Sequence, residues 1–539
     1  MNRISIPAPN SPVLPGGRTV ALGMLDGVHI GHRAVLVEAL CLGDGDCDVF
    51  TFDPDTLTTK PGFCALCSPE EQYRVLEQVG VSCVYEADFS AFRDLSPEAF
   101  ADFLVNTLHA TGLVCGFNYR FGKNGVGDAA LLKELGAARH IPVRIVPAVE
   151  SDGITVSSTA IRAALQEGDI PTARRLLGRA YGIRGVVQHG NRIGRRLQTP
   201  TVNLPLSPEQ TLLRHGVYVS SVEIGDAVYA GVTNVGTHPT VGETEPQAET
   251  WIDGFEGDLY GQTVTVYLVA FIRDEETFPS VEALQAQITK DIAAARALTA
   301  PAGHIRAVLF DFDDTLGPRD PAFTAGVHGF MERWYPTLDE EERKSREKEM
   351  IHFNAYGYRM TVTYPEFIAL FLEKWPPEKP ETPEKALHAL WFDFFSHYTL
   401  FPETLRVLDS LREAGLTVGV ITNGLSYLQN SKLDATGVRP HTDITAVSGT
   451  EGVHKPDKSI FLRVAARLGI APEDCLYVGD NPKNDIFGSL GAGMHAAWLD
   501  TELSPDHPCY DTPVPPQAHR IRSLDEVAGV IQKINNEKE

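Results

Sequence analysis

Thr19-Val-Ala-Leu-Gly-Met-Leu-Asp-Gly-Val-His-Ile-Gly-His32 is a short apolar run that breaks into a glycine-rich turn carrying two histidines. A helix expected over Arg33 to Leu40 continues it, so both imidazoles and the helix's free N–H groups meet at one spot. Such a spot suits the triphosphate of a nucleotide. From Arg18 to about Gln166 the pattern alternates apolar runs with helical stretches. Strands are predicted at Val20–Leu22, Asp48–Phe52, Val81–Tyr85, Gly112–Gly116 and Val143–Val146, with helices such as Glu70–Val79 and Pro97–Leu108 between them. Alternating β and α implies a doubly wound parallel sheet with ligands beyond the carboxyl ends of the strands.

At 539 residues the chain should hold several domains, because single cores stop growing near ~250–300 residues. A hydrophobic fraction of 43% with 22% charged residues is ordinary for a soluble globular protein. The net charge of −24 argues against nucleic-acid or membrane-surface partners. Any anionic substrate must then be held by local basic groups, helix N-termini or metal ions. Eight cysteines in so long a chain form no disulfide framework, and Cys64-Ala-Leu-Cys67 reads as two thiols in a loop. No segment approaches the ~20 apolar residues of a membrane span. The N-terminus lacks a signal peptide's apolar core, so a cytoplasmic location is expected.

The texture changes near Tyr181. Short alternating strands, Gly185–His189, Gly216–Ile224, Ala227–Val235 and Gln262–Phe271, predict a small antiparallel β-barrel. A helix over Ser280–Ala297 closes it, and Leu298-Thr-Ala-Pro-Ala-Gly303 reads as a linker. From Ile305 the pattern is α/β again. A buried strand, Ala307–Phe310, precedes a helical stretch to about Tyr398, and strands resume at Thr417–Ile421, Ile444–Val447 and Cys475–Val478. The charge-dense run Asp339–Glu349 mixes both signs and reads as a solvated helix face. The proline-rich stretch Leu503–Pro516 reads as a surface loop.

Three sets of residues carry chemistry. In the first block, Gly116-Phe-Asn-Tyr-Arg-Phe-Gly-Lys-Asn-Gly-Val-Gly-Asp128 is a glycine-punctuated loop, and Val156-Ser-Ser-Thr-Ala-Ile-Arg162 is a helix start with an arginine one turn in. Both are phosphate-handling designs, although alone the first could be an ordinary turn and the second a plain helix cap. In the second block, Thr201 and Asn203 offer hard oxygens to one side of an extended segment, as Mg²⁺ prefers, or simply shape turns. Arg195 and Arg196 in a glycine-rich loop suggest phosphate contact. In the third block, Asp311 and Asp313 end a strand, where they can act as nucleophile and acid/base beside one Mg²⁺. Ile421-Thr-Asn-Gly424, Lys455 and Gly479-Asp-Asn-Pro-Lys-Asn-Asp485 follow at loops.

The His-x-Gly-His turn resembles that of α/β nucleotidyltransferases. With the glycine loop and the Ser-Ser-Thr-x-x-Arg helix start, residues 1–180 resemble the FAD synthetase half of bacterial bifunctional riboflavin kinase/FAD synthetases. The resemblance implies that FMN phosphate attacks the α-phosphorus of ATP. His29 and His32 would stabilise the α-phosphate, Arg162 would hold the outgoing phosphates, and Gly23, Asp26, Gly31, Asn118, Arg120, Ser157, Ser158 and Thr159 would complete the nucleotide site. Here the family's aromatic before Asp-Gly is Leu25, and a family histidine is replaced by Asp55. Residues 181–298 resemble riboflavin kinase, which implies Mg²⁺ on Thr201 and Asn203, phosphate contacts at Gly190 and Arg195, and Glu249 as the base for the riboflavin 5′-hydroxyl. The family's glycine before the Pro-Thr pair is Gln198 here. Residues 304–539 resemble haloacid-dehalogenase-superfamily phosphatases with a helical cap at about 317–400. By that resemblance Asp311 attacks phosphorus, Asp313 protonates the leaving oxygen, and Thr422, Asn423 and Lys455 bind the phosphoryl group. Asp480 and Asp485 hold Mg²⁺ together with Asp311 and Asp313.

The function implied is riboflavin to FMN to FAD with an appended phosphatase for a small monoester, FMN or a riboflavin-precursor phosphate. Two alternatives stand beside it: a nucleotidyltransferase for another phosphorylated small molecule, and a flavin module reduced to a binding scaffold.

Overall fold

The computed structural model describes residues 1–11, 17–57, 64–188, 201–206, 213–225, 227–237, 246–356, 363–378, 382–501 and 512–537. In the first unit β1 (Asn2–Ile6), β2 (Thr19–Leu22), β3 (Cys47–Phe52), β4 (Val81–Ala87) and β5 (Gly112–Gly116) belong to one sheet. A short hairpin, β6 (Arg120–Phe121) with β7 (Gly127–Asp128), lies outside it, and β8 (Val143–Val146) completes the sheet. Its order is β1-β4-β3-β2-β5-β8, with every pairing parallel. The chain leaves β2 to build β3 on one side and β5 on the other, so the topological switch point falls at the end of β2, beside the histidine turn. The edge strand β1 is missing from the sequence reading: its four accessible or half-accessible residues leave only Ile6 buried, so no apolar run announces it.

A second hairpin, β9 (Glu150–Ser151) with β10 (Ile154–Thr155), leads to the helix Ser158–Glu167. The second unit holds β11 (Gly182–Val186), β12 (Thr201–Pro205), β13 (Gly216–Ile224), β14 (Ala227–Gly236), β15 (Gln247–Ile252) and β16 (Thr263–Asp274). All pair antiparallel in the order β11-β16-β13-β14-β15-β12. Gln188 N–H donates to the Asn203 carbonyl at 3.0 Å, which joins the end of β11 to β12 and closes the sheet into the expected barrel. β11 starts three residues earlier than its predicted run, and β12 and β15 are strands that turn-like Pro, Asn and Glu residues hid.

The third unit contains β17 (Ala307–Phe310), β18 (Thr417–Thr422), β19 (Ile444–Val447), β20 (Cys475–Gly479), β21 (His495–Leu499) and β22 (His519–Ile521). They form a parallel sheet in the order β19-β18-β17-β20-β21-β22. Its switch point is at the end of β17, where Asp311 follows. Four helices, Arg319–Trp334, Glu340–Tyr356, Tyr364–Lys374 and Pro383–Ser396, form the insert expected after the first motif. The charged run is helical and carries Lys344–Glu340 and Arg346–Glu342 ion pairs at i,i+4. Most of the Leu503–Pro516 stretch lies outside the described residues.

The units do not behave as beads on a string. Buried residues of the first unit, such as Leu36, Val49 and Val79, share one apolar core with Phe310, Phe395, Leu428 and Leu433 of the third unit. Gly80 accepts the Tyr427 ring so closely that a Cβ there would sit 2.3 Å from Cδ2. The expected linker is likewise fastened: the helix runs to Thr299, and the Ala302 and Gly303 amides donate to the Asp474 carboxylate at 2.6 and 3.2 Å.

Candidate active sites

At the first switch point the turn after β2 is held in an unfavourable conformation. Leu25 and the β-branched Val28 have φ of 49° and 41°, and Gly27 has 75°. Non-glycine residues at positive φ cost of order 1–3 kcal/mol and persist where surrounding structure enforces them. Here the enforcer is the segment around Leu66. Its amide donates to Asp26 Oδ1 at 2.8 Å, and its Cδ1 lies 2.7 Å from where a Gly27 Cβ would stand. The Cys64–Cys67 loop is therefore a clamp on the turn.

His29 caps the helix Ile30–Leu42, its Nδ1 accepting the His32 amide at 3.2 Å. That bond assigns the His29 proton to Nε2. The two rings stack with centroids 3.5 Å apart, and a Cβ at Gly31 would press on the His29 ring at 3.3 Å. Burial, then the Arg179 charge, pushes His29 down to about 3, and burial followed by His29 pushes His32 well below its usual range. Both imidazoles are neutral hydrogen-bonding groups near pH 7. The local cations are Arg162 and Arg179. Arg162 pairs with Asp26 and donates from Nε to the Cys64 carbonyl at 2.7 Å. Arg179 donates to the carbonyls of Gly27 at 2.8 Å and Val28 at 3.3 Å. Ser157 caps the helix Ser158–Glu167, Ser158 Oγ donates to the Asp26 carbonyl at 3.1 Å, and Thr159 is exposed on its first turn. Gly23 donates to the Phe50 carbonyl, holding the turn against β3. Asn118 and Arg120 stand apart, exposed on the loop after β5, with Arg120 4.0 Å from Asp128. Arg179, outside any motif, is what the sequence reading missed.

In the barrel, antiparallel register sets Asn203 opposite Glu249, and Glu249 opposite Asn234 on its other side. Thr201 shares the Asn203 face, and its hydroxyl donates to Glu249 Oε1 at 2.6 Å. One carboxylate, one hydroxyl and one amide oxygen thus meet on adjacent strands, a donor set that fits a hard divalent cation beside a base. Gly190 and Arg195, like Arg196 and Gln198, lie outside the described residues.

At the second switch point, Lys455 Nζ donates to Asp311 Oδ1 and Asp485 Oδ1, both at 2.7 Å, and to the Tyr477 hydroxyl oxygen at 2.9 Å. Asp311, Asp480 and Asp485 are buried, with carboxylate oxygens within 4.8 Å of one another. Burial and the Asp485 charge push Asp311 up to about 7, and burial with the same neighbour raises Asp480 well above the carboxylate range. Three buried carboxylates around one ammonium leave uncompensated negative charge, which an oxygen-preferring divalent cation would neutralise. Asn423 and Lys455 exchange two hydrogen bonds at 2.9 Å, and Thr422 Oγ1 accepts from Gln429 Nε2 at 2.8 Å.

Asp313 departs from the expected set of four metal carboxylates. Its side chain faces away from the other three, receiving the buried Lys432 ammonium at 2.5 and 2.7 Å and Gln429 Nε2 at 2.8 Å. Despite burial, the Lys432 charge holds the Asp313 carboxyl below its ordinary range. Gln429 and Lys432 were missed by sequence; a lysine on the inward face of the helix Ser426–Ala435 was the available signal.

Family models for FAD synthetase, riboflavin kinase and haloacid dehalogenase-like hydrolase match residues 12–160, 177–299 and 305–493 respectively. The bifunctional riboflavin kinase/FMN adenylyltransferase of Pseudomonas fluorescens is 39% identical over 300 residues, covering 53% of this chain and 95% of that protein. Its namesake in Escherichia coli (strain K12) is 35% identical over 298 residues, with coverages of 53% and 95%. That of Listeria monocytogenes is 32% identical over 292 residues, with coverages of 52% and 93%. Through its first two units the chain belongs to the bifunctional riboflavin kinase/FMN adenylyltransferase family, and a haloacid dehalogenase-like hydrolase region follows them.

Proposed function

We propose that the protein makes FMN from riboflavin and FAD from FMN, with ATP as co-substrate, and that its third unit is a phosphatase for a small phosphate monoester. The units assigned are residues 1–180, 181–298 and 304–539, with the helical insert at about 317–400. The observation that carries the reading is the meeting of Thr201, Asn203 and Glu249 in a barrel whose family neighbours are flavin kinases. The protein is read as cytoplasmic, with small-molecule partners only; among the described residues no helix is long and apolar enough to cross a membrane.

In the kinase unit Glu249 takes the proton of the riboflavin 5′-hydroxyl as that oxygen attacks the γ-phosphate. Thr201 and Asn203 would hold Mg²⁺, which supplies charge neutralisation for the phosphate oxygens. In the first unit His29 Nε2–H and the His32 ring donate hydrogen bonds to the α-phosphate, and Arg162 supplies the positive charge that the neutral imidazoles lack. FMN phosphate displaces pyrophosphate without a covalent enzyme intermediate. In the third unit Asp311 attacks phosphorus and the alcohol leaves, then water hydrolyses the acyl phosphate. Lys455 orients the nucleophile and neutralises phosphoryl oxygens with Thr422, while Asp313 passes a proton from the Lys432 ammonium to the leaving oxygen and takes one back from the attacking water. Asp311, Asp480 and Asp485 would hold Mg²⁺. For the ester, FMN and a phosphorylated riboflavin precursor rank level; only the precursor avoids undoing the kinase step.

Two expected outcomes test the division of labour. His29→Ala and His32→Ala each stop FAD formation while FMN continues to accumulate, read by chromatography of the flavins. Loss of both products in a folded variant contradicts separate sites. The second concerns pH. Histidines of the unfolded chain titrate near 6.5, whereas His29 in the fold takes up its proton only at about 3. The unfolded state therefore binds more protons below 6.5, and the stability owed to these neutral rings is full above 6.5 and declines as pH falls toward 3. Between pH 8 and 6 the FAD-forming rate should show no histidine inflection. An acid limb centred near 6.5 that disappears in His32→Gln would contradict neutral imidazoles.

A further inference from the structure

A cavity of about 260 Å³ opens where the three units meet, sharing Arg179 with the histidine turn but none of the motif residues of the reaction sites above. Seven arginines line it against three glutamates, in a chain whose net charge is −24. The volume is below the ~300–1,000 Å³ of pockets for drug-sized ligands, so its occupant is small.

The charge is unevenly matched. On the side formed by the helix Lys458–Leu468, Arg467 bonds both Glu223 and Glu451 at 2.7 Å, and the account balances. On the other side five guanidiniums share two carboxylates. Asp434 serves Arg33 and Arg439 together. Glu71 pairs with Arg74 at 2.7 Å and lies 4.0 Å from Arg179. The exposed Arg184 guanidinium, within electrostatic reach of Glu71, makes no hydrogen bond or ion pair among the described residues. The shortage shows in the groups themselves: burial and the neighbouring Arg33 charge push Arg439 down to about 10, and burial with Arg33 and Arg74 lowers Arg179. An ion-pair network serving only to glue the units would be expected to pair its charges.

We propose that this junction cavity binds a compact phosphate polyanion, of the size of inorganic pyrophosphate, with the Arg184 guanidinium as its direct donor and with charge from Arg74 and Arg179, whose own paired donors hold Glu71 and the Val28 and Gly27 carbonyls. Guanidinium offers paired donors matched to phosphate oxygens, and partial enclosure limits competition from water. Arg33 and Arg439 behind them add charge, and Asn430 and Thr445 add neutral lining. The ligand would touch all three units at once. Arg179 bonds the Gly27 and Val28 carbonyls of the histidine turn. Asn430 and Arg439 belong to the third unit, and Asn430 shares its helix with Gln429, which bonds Asp313. Arg184 stands on β11 of the barrel.

The test is titration calorimetry of the full chain with inorganic pyrophosphate, divalent ions chelated and nucleotide absent. Arg162→Ala serves as the variant that disables the adenylyl-transfer groove. The wild type and Arg162→Ala should both show the junction isotherm, and Arg74→Gln/Arg184→Gln should weaken it about tenfold or more, the worth of a hydrogen bond to a charged group. Riboflavin phosphorylation, unchanged in the double variant, reports its fold, and Arg184→Gln alone gives a smaller weakening should the pair misfold. As a second readout, pyrophosphate should raise the thermal midpoint of the wild type more than that of Arg184→Gln. Equal binding by wild type and the arginine variants, or loss of the isotherm only in Arg162→Ala, overturns the proposal.

Discussion

Asp311→Asn is expected to lower phosphate release from every monoester by about 10⁴-fold or more, the scale on which removal of a covalent nucleophile acts. FMN and FAD formation should continue at wild-type rates. The physical basis is the environment of this one carboxylate, which Lys455 holds at 2.7 Å in a fixed orientation at the end of β17. The amide keeps the shape and loses the nucleophilic oxygen. It also removes one of three crowded carboxylates, so with divalent ions chelated the variant should melt no lower than the wild type. Phosphate release measured on FMN and on p-nitrophenyl phosphate checks the rate, and calorimetry checks the fold. Activity retained above about one part in a hundred would remove Asp311 from the role.

Glu249→Gln should lower riboflavin phosphorylation by ~10²–10⁴, the usual worth of a general base. The same side chain accepts the Thr201 hydroxyl, and glutamine preserves that acceptor through its amide oxygen. A loss confined to the proton-transfer step therefore appears in kcat with little change in the KM for ATP. FAD formation from supplied FMN should be untouched. Near-normal turnover in the variant would contradict the assignment.

Much of this was legible in the chain. Apolar runs ending at Leu22 and Phe310 located both switch points, because fully buried parallel strands cannot disguise themselves with polar residues. Among the strands that escaped notice, β1, β12, β15 and β22 are half-exposed or rich in polar residues, so their period is faint, and β6, β7, β9 and β10 are only two residues long. Within the sites, motif residues were visible where chemistry demands a residue type at a fixed spacing. Charge partners from distant segments were not: Lys432 reaches Asp313 across 119 positions, and Arg179 reaches Gly27 across 152. Protonation was also hidden, since burial of His29 and His32 is a tertiary property. The junction between units left the least trace. Tyr427, Gly80 and Arg33 look like ordinary surface positions of a helix or turn until the third unit is docked on the first.

Docking changes how the phosphatase must be studied. Residues of the helix Ser426–Ala435 face Asp313 on one side and the helix Ile30–Leu42 on the other, with Arg33 bonding Asn430 at 2.8 Å. A fragment beginning near Ile305 would expose this face, so the intact chain is the proper material.

One chain is expected to carry riboflavin through FMN to FAD. The most direct measurement is a time course of the full-length protein with riboflavin, ATP and Mg²⁺, following flavins by chromatography and pyrophosphate by a coupled assay. The expected result is transient FMN followed by FAD, with one pyrophosphate released for each FAD formed. Riboflavin left unchanged, or FMN that accumulates with neither FAD nor pyrophosphate, would contradict it.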